Sequence, residues 1–174
     1  MQISIVDIGI NNSRSIERAF SDRLMAKDVL SIYEKPDTDF QKSDLIVIPG
    51  VGNFGVAINN LMESGLFDQI ISAYRQGKKI LGICLGMQML FESSDESPDI
   101  KGLGIIPGSC HKISNSVSNR VPHVGWNEVV ANSANLHFKA LSENKDFYFV
   151  HSYHVEPSNE LSILTSTNLE RGQI

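Results

Sequence analysis

The sequence predicts an α/β fold with a doubly wound, mainly parallel sheet, helices on both faces and a more β-rich second half. Three observations carry this. Short β-branched runs alternate with helical patterns through the first ninety or so positions. Two of those runs end in Gly-rich turns, the form expected where a buried strand passes into a helix. After Phe91 the helical periodicity stops, and short alternating runs take over.

The elements follow in order. Ile3-Ser4-Ile5-Val6 reads as a strand, and Ser13 to Met25 as a helix with Ile16, Ala19, Phe20 and Leu24 on one face. Val29-Leu30-Ser31-Ile32, Leu45-Ile46-Val47-Ile48 and Lys79-Ile80-Leu81-Gly82-Ile83 are further strands, with a helical stretch from Phe54 to Gln76 broken at Gly65. In the second half Leu103 to Ile106, Val124 to Val130, Asp146 to Val155 and Leu161 to Thr165 read as strands. Ser93 to Pro98 and Ser114 to Asn119 read as loops. No repeat or interdomain linker is visible, so residues 1–174 are expected to form one domain.

Composition narrows the function classes. With 174 residues, 41% hydrophobic and 20% charged, the chain can bury a core without staples. A formal charge of −5 argues against a sequence-independent grip on nucleic acid or an anionic membrane. Two cysteines, Cys84 and Cys110, suit a reducing compartment better than a disulfide framework. The N-terminus lacks an export signal, and no apolar run approaches the roughly 20 residues of a membrane span, so a cytoplasmic location is expected. No metal-ligand cluster or nucleotide fingerprint is present, and no cofactor is implied.

The most informative segment is Gly82-Ile83-Cys84-Leu85-Gly86-Met87-Gln88, where a buried strand meets a helix at Gly-x-Cys-x-Gly. Flanking glycines permit a tight strand-to-helix turn that presents Cys84 at the carboxyl edge of the sheet, where such folds bind ligands. A helix N-terminus behind a thiol favours its thiolate, and the N–H of Leu85 is placed to donate to an oxyanion. A buried, inert cysteine is the bland alternative, and it is the reading taken for Cys110 in Pro107-Gly108-Ser109-Cys110-His111. Pro49-Gly50-Val51-Gly52-Asn53-Phe54-Gly55 follows another buried strand and should lie at the same edge. Paired with the elbow, it reads as an oxyanion loop rather than a phosphate-binding or plain β-α turn.

Together with Pro122-His123-Val124-Gly125-Trp126-Asn127 and Phe147-Tyr148-Phe149-Val150-His151-Ser152-Tyr153, these segments resemble, in order, the glutaminase subunits of imidazole glycerol phosphate synthase, a branch of the class I glutamine amidotransferases. The elbow points only to the wider class. The Pro-His-x-Gly-Trp-Asn and Phe-x-His-Ser-Tyr segments narrow it.

The resemblance implies that Cys84 attacks the carboxamide of glutamine, that a glutamyl thioester forms, and that ammonia passes to a (β/α)8-barrel cyclase in a heterodimer serving histidine biosynthesis. It implies that Gly50, Val51, Gly52 and Leu85 serve the oxyanion, and that Gln88, Ser152 and Tyr153 hold glutamine. It also places Trp126 near the partner interface, where packing at a strand would otherwise explain it. Asn12 belongs to a further partner loop, Asp7 to Ser15, in which Ile8 and Asn11 stand where the family usually has an aromatic and a glycine.

The family's general base comes from a His-Pro-Glu segment near its C-terminus, and this sequence has none. The chain is read as a truncated copy, short by roughly 20 to 30 residues on average element lengths, with glutamine hydrolysis severely impaired. An altered frame beyond about Asn168, or a protein that has abandoned catalysis, would account for the same ending. His154-Val155-Glu156 has tempting spacing, but alternation alone puts both side chains on one strand face, and a solvent-facing pair is expected. His151 is read as a strand residue. Two other functions stay open: ammonia supply for amidation of surface-polysaccharide sugars, and a non-catalytic partner-binding remnant.

Overall fold

A computed structural model describes residues 1–10, 12–114, 120–131, 145–169 and 172–173. The chain separates into two compact units, residues 1–106 and 107–174.

The first unit is a four-stranded, wholly parallel sheet in the order β2-β1-β3-β4, built from β1 (Gln2–Val6), β2 (Val29–Tyr33), β3 (Leu45–Gly50) and β4 (Lys79–Cys84). Alternation of side chains sends the two faces of the sheet into different cores. Ile3, Ile5 and Val47 pack with Ile16 and Phe20 of α1 (Ser13–Ser21) and with Leu24 just beyond it. Val6, Ile46 and Ile48 pack with Phe54, Ile58 and Leu61 of α2 (Phe54–Glu63) and Leu66 and Ile70 of α3 (Leu66–Arg75). Helices therefore cover both faces, as expected. Each fully buried Ile or Leu in these clusters contributes about 1.5–3 kcal/mol.

The expected break at Gly65 is where α2 gives way to α3, with φ +78° at the glycine. The helix read to Met25 ends earlier, at Ser21, and Ala19 is exposed rather than on the packed face. Leu103 to Ile106 is not a strand. The N–H groups of Leu103, Ile105 and Ile106 turn back onto the carbonyls of Met89 and Leu90, at 2.9 Å each, and satisfy the end of the short helix α4 (Leu85–Gln88) and the turn after it. A two-residue strand, β5 (Ser93–Ser94), lies in the Ser/Glu-rich loop.

The second unit is antiparallel. Its larger sheet has the order β11-β10-β7-β8, from β7 (His123–Ala131), β8 (Lys145–His151), β10 (Thr165–Leu169) and β11 (Gly172–Gln173). β6 (Gly108–Lys112), which sequence reading missed, pairs with β9 (Tyr153–Pro157). The run Asp146 to Val155 is thus two strands separated at Ser152, each pairing with a different partner. Leu161 lies in a 3-10 turn, Glu160–Ser162, because the side chain of Asn159 accepts the Leu161 N–H at 3.0 Å, and the strand starts only at Thr165. Residues 115–119 of the expected Ser114 to Asn119 loop lie outside the described residues. Among the described residues no helix is long and apolar enough to cross a membrane.

Candidate active site

Cys84 ends β4 with φ 55° and ψ −119°, and it is the one non-glycine residue with positive φ among those described. An L-residue held there costs about 1–3 kcal/mol, which only over-determined surroundings sustain. The surroundings are backbone. A Cβ on Gly86 would strike the carbonyl oxygen of Ile48, and one on Gly82 would come within 2.7 Å of the Met87 amide nitrogen. Gly86 is pressed against β3 and Gly82 against the backbone of α4 so closely that only glycine fits on either side of the cysteine. Its sulfur is a free thiol on an exposed residue, whereas Cys110 is fully buried in β6.

Behind Cys84 the helix is brief. Met89 N–H reaches the Leu85 carbonyl at 2.9 Å, and the chain then tightens, Leu90 and Phe91 N–H bonding to Met87 and Gln88 at 3.1 Å. Leu85 buries its side chain in the core while its own N–H, at the first helical position, has no intrahelical partner. Gln88 sits half-buried one turn beyond Cys84.

The second Gly-rich loop does face the elbow. Gly50 is the strand partner of Cys84, and a Cβ on Gly50 would lie 2.9 Å from the Gly86 nitrogen. Gly52 takes φ +98° with open space around it. Val51 is half exposed, and its N–H donates to the Ile10 carbonyl at 3.2 Å, so in this conformation that amide is committed to the loop after β1. That loop is itself pinned: Asp7 accepts from the Gly9 N–H at 2.9 Å and from the Ser13 hydroxyl at 2.6 Å, and Asn60 donates to the Ile8 carbonyl at 3.0 Å. Ile8 is buried in the core. Asn12 precedes α1, exposed and without a side-chain capping bond; Asn11 lies outside the described residues.

Glu96 was not visible as a site residue from sequence. Its carboxylate accepts the Phe54 N–H at 2.6 Å, and the Ser97 hydroxyl accepts the Gly55 N–H at 3.1 Å, so the loop following the elbow caps α2 and fixes the far side of the Gly50 to Gly52 loop. No local spacing announces a contact across 42 positions.

Gly50, Val51, Gly52, Cys84, Leu85 and Gln88 are therefore gathered at the carboxyl edge of the parallel sheet. Ser152 and Tyr153 belong to the second unit, at the passage from β8 to β9, where the Ser152 carbonyl accepts the Ile113 N–H at 2.9 Å. Trp126 is not packed as a core residue: it is 70% exposed, edge-on to Tyr148 at 5.6 Å between ring centroids. It shares an outward face with Val124, Tyr148 and Val150, all more than half exposed. His154 and Glu156 share a face with 3.7 Å between Nε2 and Oε1, but the expected solvent-facing pair is only half so, since the His154 side chain is 16% exposed and that of Glu156 61%. Among the described residues no group of three or more metal-ligating side chains is assembled.

The family Glutamine amidotransferase class-I matches residues 4–174. The imidazole glycerol phosphate synthase subunit HisH of Pyrococcus furiosus is 41% identical over 172 residues, covering 99% of this chain and 81% of that protein. The corresponding subunit of Aquifex aeolicus is 37% identical over 171 residues, covering 97% and 79%. Among solved structures, PurLQS from Thermotoga maritima superposes with a TM-score of 0.65 at 18% identity, over 95% of this chain and 74% of that one. A crystal structure of a glutamine amidotransferase gives 0.63 at 14% identity, over 91% and 75%, so the likeness of fold extends beyond recognisable sequence.

Proposed function

Because the chain belongs to the class I glutamine amidotransferases, and within them to the HisH subunits of imidazole glycerol phosphate synthase, we propose that it is a glutaminase subunit whose nucleophile is Cys84. The carrying observation is the positive φ of Cys84 between two glycines that backbone packing makes obligatory. Nothing in a buried structural cysteine calls for that strain, and it aims the thiol away from the sheet into solvent-accessible space.

The thiolate adds to the carboxamide carbon of glutamine, and the developing oxyanion is met by the Leu85 N–H and the Gly50 to Gly52 loop. The proton lost by the Cys84 thiol passes to the amide nitrogen, which leaves as ammonia as the tetrahedral adduct collapses to a glutamyl thioester; water then releases glutamate and restores the thiol. With the Val51 amide committed to Ile10, Leu85 is the donor the site offers in this conformation. Gln88, Ser152 and Tyr153 hold the substrate's amino-acid end. The base that deprotonates Cys84 is not assigned to any of these 174 residues.

The ammonia goes to a (β/α)8-barrel cyclase, which Asn12 and the exposed Trp126 face contact, in the cytoplasmic synthesis of a histidine precursor. We read residues 1–174 as one amidotransferase domain.

The test is alkylation of Cys84 by a glutamine-like chloroketone, with glutamate release measured alongside in the presence of the cyclase subunit. Saturable labelling of Cys84 but not Cys110, protected by glutamine and lost in Cys84→Ser, is expected. Labelling that glutamine does not protect against would overturn the assignment.

A further inference from the structure

β7 and β8 place His123 directly opposite His151. Nδ1 of His123 lies 2.8 Å from Nε2 of His151, and Nδ1 of His151 lies 2.9 Å from the carbonyl oxygen of Tyr153. Nε2 of His123 lies 3.2 Å from Oδ1 of Asn127. The Asn127 amide cannot be turned over, because its Nδ2 donates to the Asn168 carbonyl at 3.0 Å and the reverse orientation would set two oxygens against each other.

Donors and acceptors can then be assigned in sequence. A backbone carbonyl only accepts, so His151 carries its proton on Nδ1. Burial pushes the His151 imidazole below its ordinary pKa, which keeps that ring neutral and leaves Nε2 as an acceptor. His123 must therefore donate from Nδ1. Its other nitrogen faces the Asn127 oxygen, also an acceptor, and must donate too. The three bonds need three N–H groups, whereas two neutral imidazoles supply two. The third proton belongs on His123, whose ring stacks on Phe149 at 5.4 Å and 29°, a geometry that favours a cation over an aromatic face.

We infer that His123 and His151 form a monocationic dyad that positions the Ser152–Tyr153 turn for glutamine. The bond from His151 to the Tyr153 carbonyl closes a loop across Ser152, and the Ser152 carbonyl is held from the other side by Ile113. His123 fixes the tautomer of His151, and Asn127 fixes His123, so the turn inherits its conformation from a relay that begins at the Asn168 carbonyl. Neither histidine touches substrate; both are positioning residues. The inference rests on the reading of Ser152 and Tyr153 as substrate-holding residues.

Two measurements on the full chain test it. In wild-type protein carrying nitrogen-15 histidine, long-range proton-nitrogen spectra near neutral pH should show His123 protonated at both nitrogens and His151 protonated at Nδ1 alone. A neutral His123, or His151 protonated at Nε2, would overturn the dyad whatever the protein's activity. For function, chloroketone labelling of Cys84 is resolved into its half-saturation concentration KI and limiting rate kinact. His151→Leu should raise KI about five- to tenfold and leave kinact unchanged. His151→Asn, whose amide can donate from the Nδ1 position, should recover part of the loss. Labelling by iodoacetamide, which has no glutamine-like portion, should be unaffected in both. An unchanged KI in a folded His151→Leu protein would refute the positioning role. Wild-type labelling that glutamine does not protect against would instead remove the glutaminase reading, with the spectra still deciding the dyad.

Discussion

Replacing Cys84 by glycine should make the protein more stable than replacing it by alanine, although glycine is ordinarily the worse residue in a strand. The comparison with alanine cancels loss of the thiol, which is on an exposed residue and contributes little by burial. What remains is the Cβ. At φ 55° and ψ −119° an L-residue is strained by about 1–3 kcal/mol, and glycine is not. Against this stands the greater unfolded-state freedom of glycine, about 0.5–1 kcal/mol. The net expectation is that Cys84→Gly exceeds Cys84→Ala by about 0.5–2 kcal/mol, or roughly 2 to 6 °C in Tm for a chain of this length. The lone tryptophan, Trp126, lies in the second unit, so its fluorescence is the wrong probe. Urea titrations should be followed by far-ultraviolet circular dichroism, with amide exchange at Leu81 and Ile83 reporting β4 directly. If the alanine variant is as stable as the glycine variant, the elbow is not strained, and the main structural argument for Cys84 as nucleophile fails.

Three further outcomes follow from the same geometry. Gly86→Ala should cost about 3 kcal/mol or more, because its Cβ meets the Ile48 backbone rather than a side chain that can swing away; a variant within 1 kcal/mol of wild type in urea would contradict the packing. Acidification should remove the His151 contribution to the second unit's stability: burial lowers the pKa of His151, the unfolded ring takes a proton first, and that contribution falls as pH drops through about 6.5. Urea midpoints from Trp126 fluorescence should show this slope in wild type and lose it in His151→Asn. Trp126→Ala should change unfolding free energy by no more than about 0.5 kcal/mol, since the side chain is mostly exposed, yet weaken cyclase binding about tenfold or more in a titration.

The parallel half of the fold was legible because its central strands, β1 and β3, are buried and read as unbroken apolar runs, and because two of its strands end in Gly-rich turns. Even the division of one long helical stretch at Gly65 was visible, since glycine is the residue that most readily takes the φ of +78° found there. The errors share a cause. Leu103 to Ile106 has a strand's composition, but its amides are spent on carbonyls of Met89 and Leu90, a non-local pairing without a period. Strand-forming residues continue from Asp146 to Val155 without a Gly or Pro break, so nothing in the pattern marks Ser152 as the place where the chain changes sheets. Cys84 could be found because the requirement for small neighbours is local. Glu96 and the pairing of His123 with His151 could not, because both depend on register and on partners 42 and 28 positions away.

The two units secure their functional groups by different physics, and mutations should reveal which is which. Around Cys84 the constraint is close approach of backbone to backbone: Gly50, Gly82 and Gly86 leave no room for a Cβ, so Cys84 shares the rigidity of the parallel core. A defect there cannot be absorbed locally and must appear as lost stability, with reactivity failing only as a consequence. At Ser152 and Tyr153 the constraint is a polar relay of side chains on a half-buried sheet face, whose members are each replaceable without opening a cavity. A defect there leaves the strands paired and lets the turn relax, so it appears first in affinity. Lost affinity with stability kept should therefore map to the second unit and lost stability on substitution of these glycines to the first, and a variant of His123 or His151 that unfolded the parallel sheet would break this division.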